Sequence, residues 1–438
     1  MKFIVIGITD NPRPFFPPEV LEIIKKGRVF SGGKRHHEIV GSLLPEHAQW
    51  IDITAPLDAV FNQYSSLSAE GMAAADRFFS TLCLQRNSSL FTLHSSLSQI
   101  IVFASGDPLF FGFANTIRRR MPDAEVVVYP SFNSLQLLAH RLVMPYHDMR
   151  IVSLTGRPWP AFDKALIERA AKIGVLTDRE HTPAAIARRM MAYGYTFYRM
   201  SVGEHLGNPE LETVSTMTVE AAAQRDFDHP NCVILEVNSV NFRQFGIPDT
   251  EFALLDGRTK MITKMPIRLL TLQALDLPHR HVLWDIGACT GSVSIEARQL
   301  FPHLQVEAFE IRPECEAIIC ENARRHGVPG IGVHIGDFAS TPPLEGWGTV
   351  AVPPDAVFIG GHGGQLKEIM AKVLTVLAPG GVIVMNSVTS PVVSRLTSRK
   401  SSRQLWDDAC AELGLQQEPP LRINLNDNNP IEILKCSR

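Results

Sequence analysis

The sequence predicts an α/β protein of two modules, each built mainly on parallel strands separated by helices. Three observations support this. Apolar strands alternate with amphipathic helical stretches from the first residue onward. The pattern breaks over 238–256, NSVNFRQFGIPDTEFALLD, and then restarts. Each half also carries a glycine turn after a buried strand, FASGDPLFFG at 103–112 and WDIGACTGS at 284–292. The chain of 438 residues is too long for one ordinary core, and no repeat links its halves, so two different modules are joined.

The elements follow in order. KFIVIGI (2–8) is a buried strand, and PEVLEIIKKG is a helix with Pro18 at its first position and Gly27 at its end. The serine-rich segment 66–98 predicts a helix over 69–84. QIIVFASGD (99–107) is a strand ending in a turn, followed by the helix GFANTIRRRM. AEVVVYP (124–130) leads to a helix in SFNSLQLLAHRL, for which Ser131 is the expected cap. RIVSLTG (150–156), KIGVLTD (172–178) and NCVILEV (231–237) are further strands, and TPAAIARRMMAYG is a helix capped by Thr182. After the break come HVLWDIG, GSVSIEARQL, QVEAFEI, PECEAIICENARRHG, GVHIGD, DAVFIGG, GQLKEIMAKVLTVL and GVIVMNSV, the order of a doubly wound nucleotide-binding fold.

Composition narrows the function. Hydrophobic residues make up 45% and charged residues 20%, as in folded globular domains, and a net charge of −3 offers no general attraction for nucleic acid or anionic membrane. No apolar run approaches the ~20 residues of a membrane helix. The seven cysteines are scattered without metal spacing, which fits a reducing cytoplasm and no metal site. Cys315 and Cys320 read as packing or surface residues.

In DIGACTG, Gly287 and Gly291 let a ligand approach the backbone, and the helix from Ser292 offers free N–H groups. The next strand ends in Glu310, a candidate acceptor for ribose hydroxyls. The third ends in Asp337 and Phe338, suited to an adenine amino group and an adenine face. A dinucleotide site would read GxGxxG; GxxxG followed by these acids resembles the Rossmann-type S-adenosylmethionine methyltransferases. DGRTKMITKMPIRLL (256–270), FIGGHGG (358–364) and NSVTSP (386–391) resemble the precorrin methyltransferases that methylate carbon 15 and decarboxylate an acetate arm. Cys289 stands where that turn more often has glycine, and Met265 and Pro266 interrupt the family's charged spacing.

The N-terminal half is similar to the tetrapyrrole methylases, in the branch that methylates carbon 5 of a precorrin. The resemblance rests on SGGKRHHEI (31–39), SGDPLFFG (105–112), YPSFNSLQLLA (129–139), VSLTGRP (152–158), VLTDREHTPAAIARRM (175–190) and VGEHLGNPEL (202–211). Its first loop, GITDNPRPFFPP, lacks the glycines usual in that family. Both halves together resemble the fused precorrin-6 methyltransferases of cobalamin biosynthesis.

That resemblance implies a tetrapyrrole methylase domain over 1–238 with a two-lobed fold, a linker over 239–255, and a Rossmann-like methyltransferase domain over 256–438. It implies a cytoplasmic, homo-oligomeric enzyme with two S-adenosylmethionine sites, acting on a precorrin or cobalt-precorrin and on neither nucleic acid nor membrane. Candidate cofactor residues are Gly106, Asp107 and Leu109 in the first module. In the second they are Asp285, Gly287, Thr290, Gly291, Glu310, Asp337, Phe338 and Gly360. Candidate cations for the carboxylate arms are Lys34, Arg35, His36, His37 and Arg157, placed in or beside loops, and Lys264 and Arg268 beside Thr263. Asn386 and His362 are candidates near the reacting ring. Three alternatives remain open on the residues alone: an RNA or protein methyltransferase, a nucleotide-dependent oxidoreductase, and a non-catalytic tetrapyrrole or cofactor binder.

Overall fold

Phe3 to Ile8 are buried almost without interruption, which makes the first strand an interior one covered on both faces. The computed structural model describes residues 1–67, 99–239, 243–256, 258, 261–342, 352–388, 400–425 and 429–438; the helix expected over 69–84 lies outside them. The chain forms two compact units. One comprises Met1–Arg157, Ala171–Ala187 and Tyr198–Val237, and the other Pro158–Ala170, Arg188–Phe197 and Asn238–Arg438.

The first unit contains two sheets. Strands β1 (Lys2–Ile8), β2 (Val29–Gly32), β3 (Gln49–Asp52), β4 (Gln99–Ser105) and β5 (Glu125–Tyr129) join in the order β3-β2-β4-β1-β5, all parallel. Strands β6 (Arg150–Ser153), β7 (Lys172–Leu176), β8 (Tyr198–Glu204), β9 (Thr213–Thr218) and β10 (Asn231–Val237) join in the order β6-β7-β10-β8-β9. Only β6 and β7 pair in parallel here, against the expectation of mainly parallel strands. Two causes combine: the short turn 205–212 between β8 and β9 can make a hairpin but not a crossover, and β10 inserts antiparallel to both β7 and β8. The helix Ser134–Arg141 is capped by Asn133, not Ser131; the Asn133 side chain accepts the Gln136 N–H while Gln136 reaches back to the Asn133 N–H. Thr182 caps as expected, accepting from the Ala185 N–H at 3.2 Å.

The second unit holds one eight-stranded sheet. Strands β11 (Val282–Ile286), β12 (Gln305–Glu310), β13 (Ile331–Ile335), β14 (Ala356–Ile359), β15 (Val382–Val388), β16 (Gln416–Gln417), β17 (Leu421–Ile423) and β18 (Ile431–Ser437) give the order β13-β12-β11-β14-β15-β18-β16, with β17 beside β18. The strands from β13 to β15 are parallel, and β18 runs antiparallel. Alternate residues along β11 feed opposite cores. Val282, Trp284 and Ile286 pack toward the helix Leu366–Leu374, and Leu283 packs with Val293 and Ala297 of the helix Ser292–Leu300. The order reverses between β12 and β14, both neighbours of β11, and this switch point opens a crevice at the strand ends. The described part of 238–256 packs within this unit, burying Ile247, Phe252 and Leu255.

Candidate active site

β11 delivers Asp285 and Ile286 to the crevice, and the chain then turns through three left-handed residues, Gly287, Cys289 and Gly291, into the helix Ser292–Leu300. Gly287 is required twice over. Its φ is +77°, and a Cβ there would lie 2.6 Å from the Gly361 backbone nitrogen. The turn after β11 and the FIGGHGG loop after β14 therefore touch backbone to backbone. Cys289 adopts the left-handed conformation at φ +50° despite its side chain, which is why glycine suits the position. Its thiol is buried with Leu255 and Cys315, and burial raises the pKa of both cysteines.

Glu310, at the end of β12, holds this turn. Its Oε2 accepts the Cys289 N–H at 2.9 Å; its Oε1 accepts from the Ile311 and Arg312 backbone N–H groups and from Arg312 Nη1. Asp285 is buried. Its Oδ2 accepts from both the N–H and the hydroxyl of Ser294, whereas among the described residues Oδ1 has no hydrogen-bond partner. Desolvation, partly offset by the Ser294 bonds, pushes its pKa up to about 6. Asp337 accepts from the Ala339 N–H and the Ser340 hydroxyl. Phe338 packs edge-on against Trp284 and Phe309 in the core, with the Lys372 ammonium 5.4 Å from its ring centre.

These groups line one cavity of about 710 Å³, within the range of small-molecule sites. Asp285, Gly287, Thr290, Glu310, Asp337, Phe338 and Gly360 are on its wall, together with Thr263, Lys264, His362 and Asn386. Gly291 is not on the wall; it shapes the turn from behind, against Ile319. The His362 Nδ1 accepts the Gly364 N–H, and burial lowers its pKa, so the neutral ring carries its proton on Nε2. Arg268 is a correction to the sequence reading. It is fully buried, paired with Glu296 and Asp249, and donates to the Thr263 and Ile247 carbonyls, so it braces the segment instead of meeting a ligand. Lys264, half exposed and 3.4 Å from Asp249, is the cation of that pair on the wall. Arg312, Ile311, Val388 and Ile431 also line the cavity, and the sequence alone does not single them out. The RP after EI was the available signal for Arg312; the other three are ordinary apolar letters.

In the first unit, Gly106 takes φ +62°, and a Cβ there would meet the Asn133 backbone at 2.9 Å. Asp107 Oδ1 accepts the Leu109 N–H at 2.8 Å, closing the turn and leaving Leu109 exposed. Lys34, Arg35 and His36 form the first turn of the helix Lys34–Val40, not a loop. Arg35 pairs with Asp10, which also meets His205. The His36 Nδ1 accepts the Gly33 N–H and its Nε2 lies 2.9 Å from the Ser105 hydroxyl; burial lowers its pKa to about 4, so it is neutral. Lys34 is exposed, His37 stacks on Trp50, and Arg157 lies over the Phe111 ring.

Comparison with known proteins adds the following. Residues 4–223 match the model for tetrapyrrole (corrin/porphyrin) methylases, and 256–404 match a precorrin methyltransferase domain. A Sinorhizobium precorrin-6Y C(5,15)-methyltransferase (decarboxylating) is 32% identical over 393 residues, covering 88% of this chain and 84% of the relative. Two Salmonella typhimurium proteins match one half each. Its cobalt-precorrin-6B C(15)-methyltransferase (decarboxylating) is 32% identical over 42% of this chain and 93% of its own length. Its cobalt-precorrin-7 C(5)-methyltransferase is 26% identical over 53% of this chain and 98% of its own length.

Proposed function

The chain belongs to the precorrin-6Y C(5,15)-methyltransferase (decarboxylating) family of tetrapyrrole methylases, and from that premise we infer two methyl transfers to one macrocycle. Residues 1–238 methylate carbon 5. Residues 256–438 methylate carbon 15 and release the carboxyl of the carbon 12 acetate arm. The observation that carries the second assignment is the single cavity in which a left-handed turn, a strand-end carboxylate and an unpaired buried carboxylate oxygen converge.

S-adenosylmethionine, when bound, supplies an electrophilic methyl on a sulfonium that leaves as a neutral thioether. The chain's residues fit this group. Glu310 faces the cavity with electron pairs for ribose hydroxyls, Asp337 for an adenine amino group, and the orphaned Asp285 Oδ1 for an ammonium. Ile311, Val388 and Ile431 give apolar walls to a macrocycle, and Lys264 a cation to a carboxylate arm. In the first unit, Gly106, Asp107 and Leu109 form the second cofactor turn, with Lys34 and Arg35 toward the substrate. The residues mainly align donor and ring carbon and exclude water.

A cytoplasmic homo-oligomer that binds neither nucleic acid nor membrane completes the reading; the net charge of −3 supports the last two points. Among the described residues no helix is long and apolar enough to cross a membrane. Incubation with precorrin-6B and methyl-labelled S-adenosylmethionine tests it. Two methyl additions and one carbon dioxide are expected, and the absence of all three overturns the reading.

A further inference from the structure

We propose that Lys372 is a positioning residue for the cofactor: its ammonium clamps the turn after β13, so that Asp337 and Phe338 stay on the cavity wall that receives the adenine end. The inference rests on the functional reading above. Lys372 lies on the helix Leu366–Leu374, behind the cavity lining, and reaches across to that turn. Its Nζ donates to the Phe338 carbonyl oxygen at 2.6 Å and to the Ala339 carbonyl oxygen at 3.0 Å, and it lies 5.4 Å from the centre of the Phe338 ring.

The sequence leaves this turn short of donors. It begins as a helix would: the Asp337 carbonyl accepts the Thr341 N–H, and the Asp337 carboxylate accepts the Ala339 N–H and the Ser340 hydroxyl. In a helix the carbonyls of Phe338 and Ala339 would next take the N–H groups of residues 342 and 343, but both are proline and have none. Lys372 supplies the two donors from outside. An ammonium has three N–H groups and no electron pair, so it can gather two carbonyls and still present its charge to an aromatic face. The helix that carries it is itself fixed, because Leu366, Ile369, Met370 and Val373 share the core cluster of Phe338. Burial lowers the Lys372 pKa and the nearby Asp337 charge opposes that shift, so the clamp and the wall carboxylate sense each other.

Sheet pairing does not provide this tie. β12 and β11 stand between β13 and β14, and the helix Leu366–Leu374 follows the loop after β14. Lys372 therefore joins two sides of the cavity that the strand ladder leaves apart. Holding the Phe338 and Ala339 carbonyls fixes the peptide planes around Phe338, and with them the place of Asp337 and Phe338 on the wall. A wall set before the ligand arrives spares binding the cost of ordering it. The adenine end is remote from the sulfonium, so this contribution is the same for bound cofactor and for the transition state. Its signature is a change in KM for the cofactor, with kcat retained.

The test compares the full-length chain with Lys372→Met, which keeps the apolar stem but cannot donate, and Lys372→Arg, which keeps donors and charge. Each is measured for carbon 5 and carbon 15 methylation and for melting temperature. Inhibition of carbon 15 methylation is read with S-adenosylhomocysteine and with S-inosylhomocysteine, in which a ring carbonyl replaces the adenine amino group. Lys372→Met should raise KM for S-adenosylmethionine at carbon 15, and the S-adenosylhomocysteine inhibition constant, by about tenfold, with kcat within about twofold. The preference for the adenine ligand over the inosine one should shrink at least about threefold, and Lys372→Arg should recover most of both effects. Carbon 5 methylation should not change. Unaltered inhibition by S-adenosylhomocysteine in Lys372→Met overturns the inference alone. So does an equal weakening of both ligands with a lowered melting temperature that arginine fails to rescue, because that pattern marks a residue serving only the fold. No methyl transfer by the unsubstituted chain overturns the functional reading, and the inference with it.

Discussion

Asp285→Asn should make the protein more stable near neutral pH and worse at binding its cofactor. Burial displaces the Asp285 carboxyl from an ordinary 3.8 to about 6, against two opposing bonds from Ser294. That displacement corresponds to about 3 kcal/mol favouring the protonated form in the folded state. The folded pKa is raised, so the contribution of this group to stability is full below pH ~4 and lost as pH rises through ~6. Asparagine is neutral throughout, and its oxygen can keep both Ser294 bonds. Its amide nitrogen is left unpaired where Oδ1 stood, which costs about 1–2 kcal/mol. The net gain at pH 7.5 is therefore about 1–2 kcal/mol. It should shrink by roughly 1 kcal/mol at pH 5, where the folded carboxyl is largely protonated and the unfolded one is not. Urea unfolding of both proteins at the two pH values measures this difference, and calorimetry with S-adenosylhomocysteine measures binding. Affinity should fall at least about tenfold in the variant if, as proposed, Asp285 receives the ligand ammonium, because an N–H donor would replace an acceptor that is unpaired among the described residues. In the unsubstituted protein affinity should rise with pH up to about 6 and then level. A stability difference that does not change between pH 5 and 7.5 would falsify the assignment of a raised pKa, and unaltered affinity would remove Asp285 from the cofactor site.

Other substitutions examine separate parts of the site. Gly287→Ala places a Cβ 2.6 Å from the Gly361 nitrogen at φ +77°, so it should separate the two loops, lower stability by about 2 kcal/mol or more, and abolish measurable S-adenosylhomocysteine binding. Cys289→Gly should be more stable than Cys289→Ala by about 1 kcal/mol in urea melts, since both lose the thiol but only glycine relieves φ +50°. Arg268→Ala leaves Glu296 buried without its guanidinium and should cost about 3–5 kcal/mol in unfolding free energy. Lys264→Ala, on the cavity wall, should leave the melting temperature within about 2 °C while raising KM for the tetrapyrrole.

The letters of this sequence determine a good deal by themselves. Strands buried on both faces, such as KFIVIGI and HVLWDIG, declare themselves as apolar runs, because burial there needs no partner identified in advance. Gly287, Glu310 and Asp337 were legible because their places at strand ends follow from strand order. Tertiary structure decided what depends on residues distant along the chain. Arg268 looked like a cation for substrate until folding brought Glu296, 28 positions away, against it. Lys264, four residues before it, reached the wall instead. The second sheet became largely antiparallel because β10 inserted between β7 and β8, a pairing that no local pattern reveals. Cys289, the odd letter in the glycine turn, acquired its surroundings only when Cys315 and Leu255 closed over it. The physical reason is common to all of these. A strand or turn is selected by its own residues, whereas the work of a charge, an amide or a thiol is set by the neighbour the fold supplies.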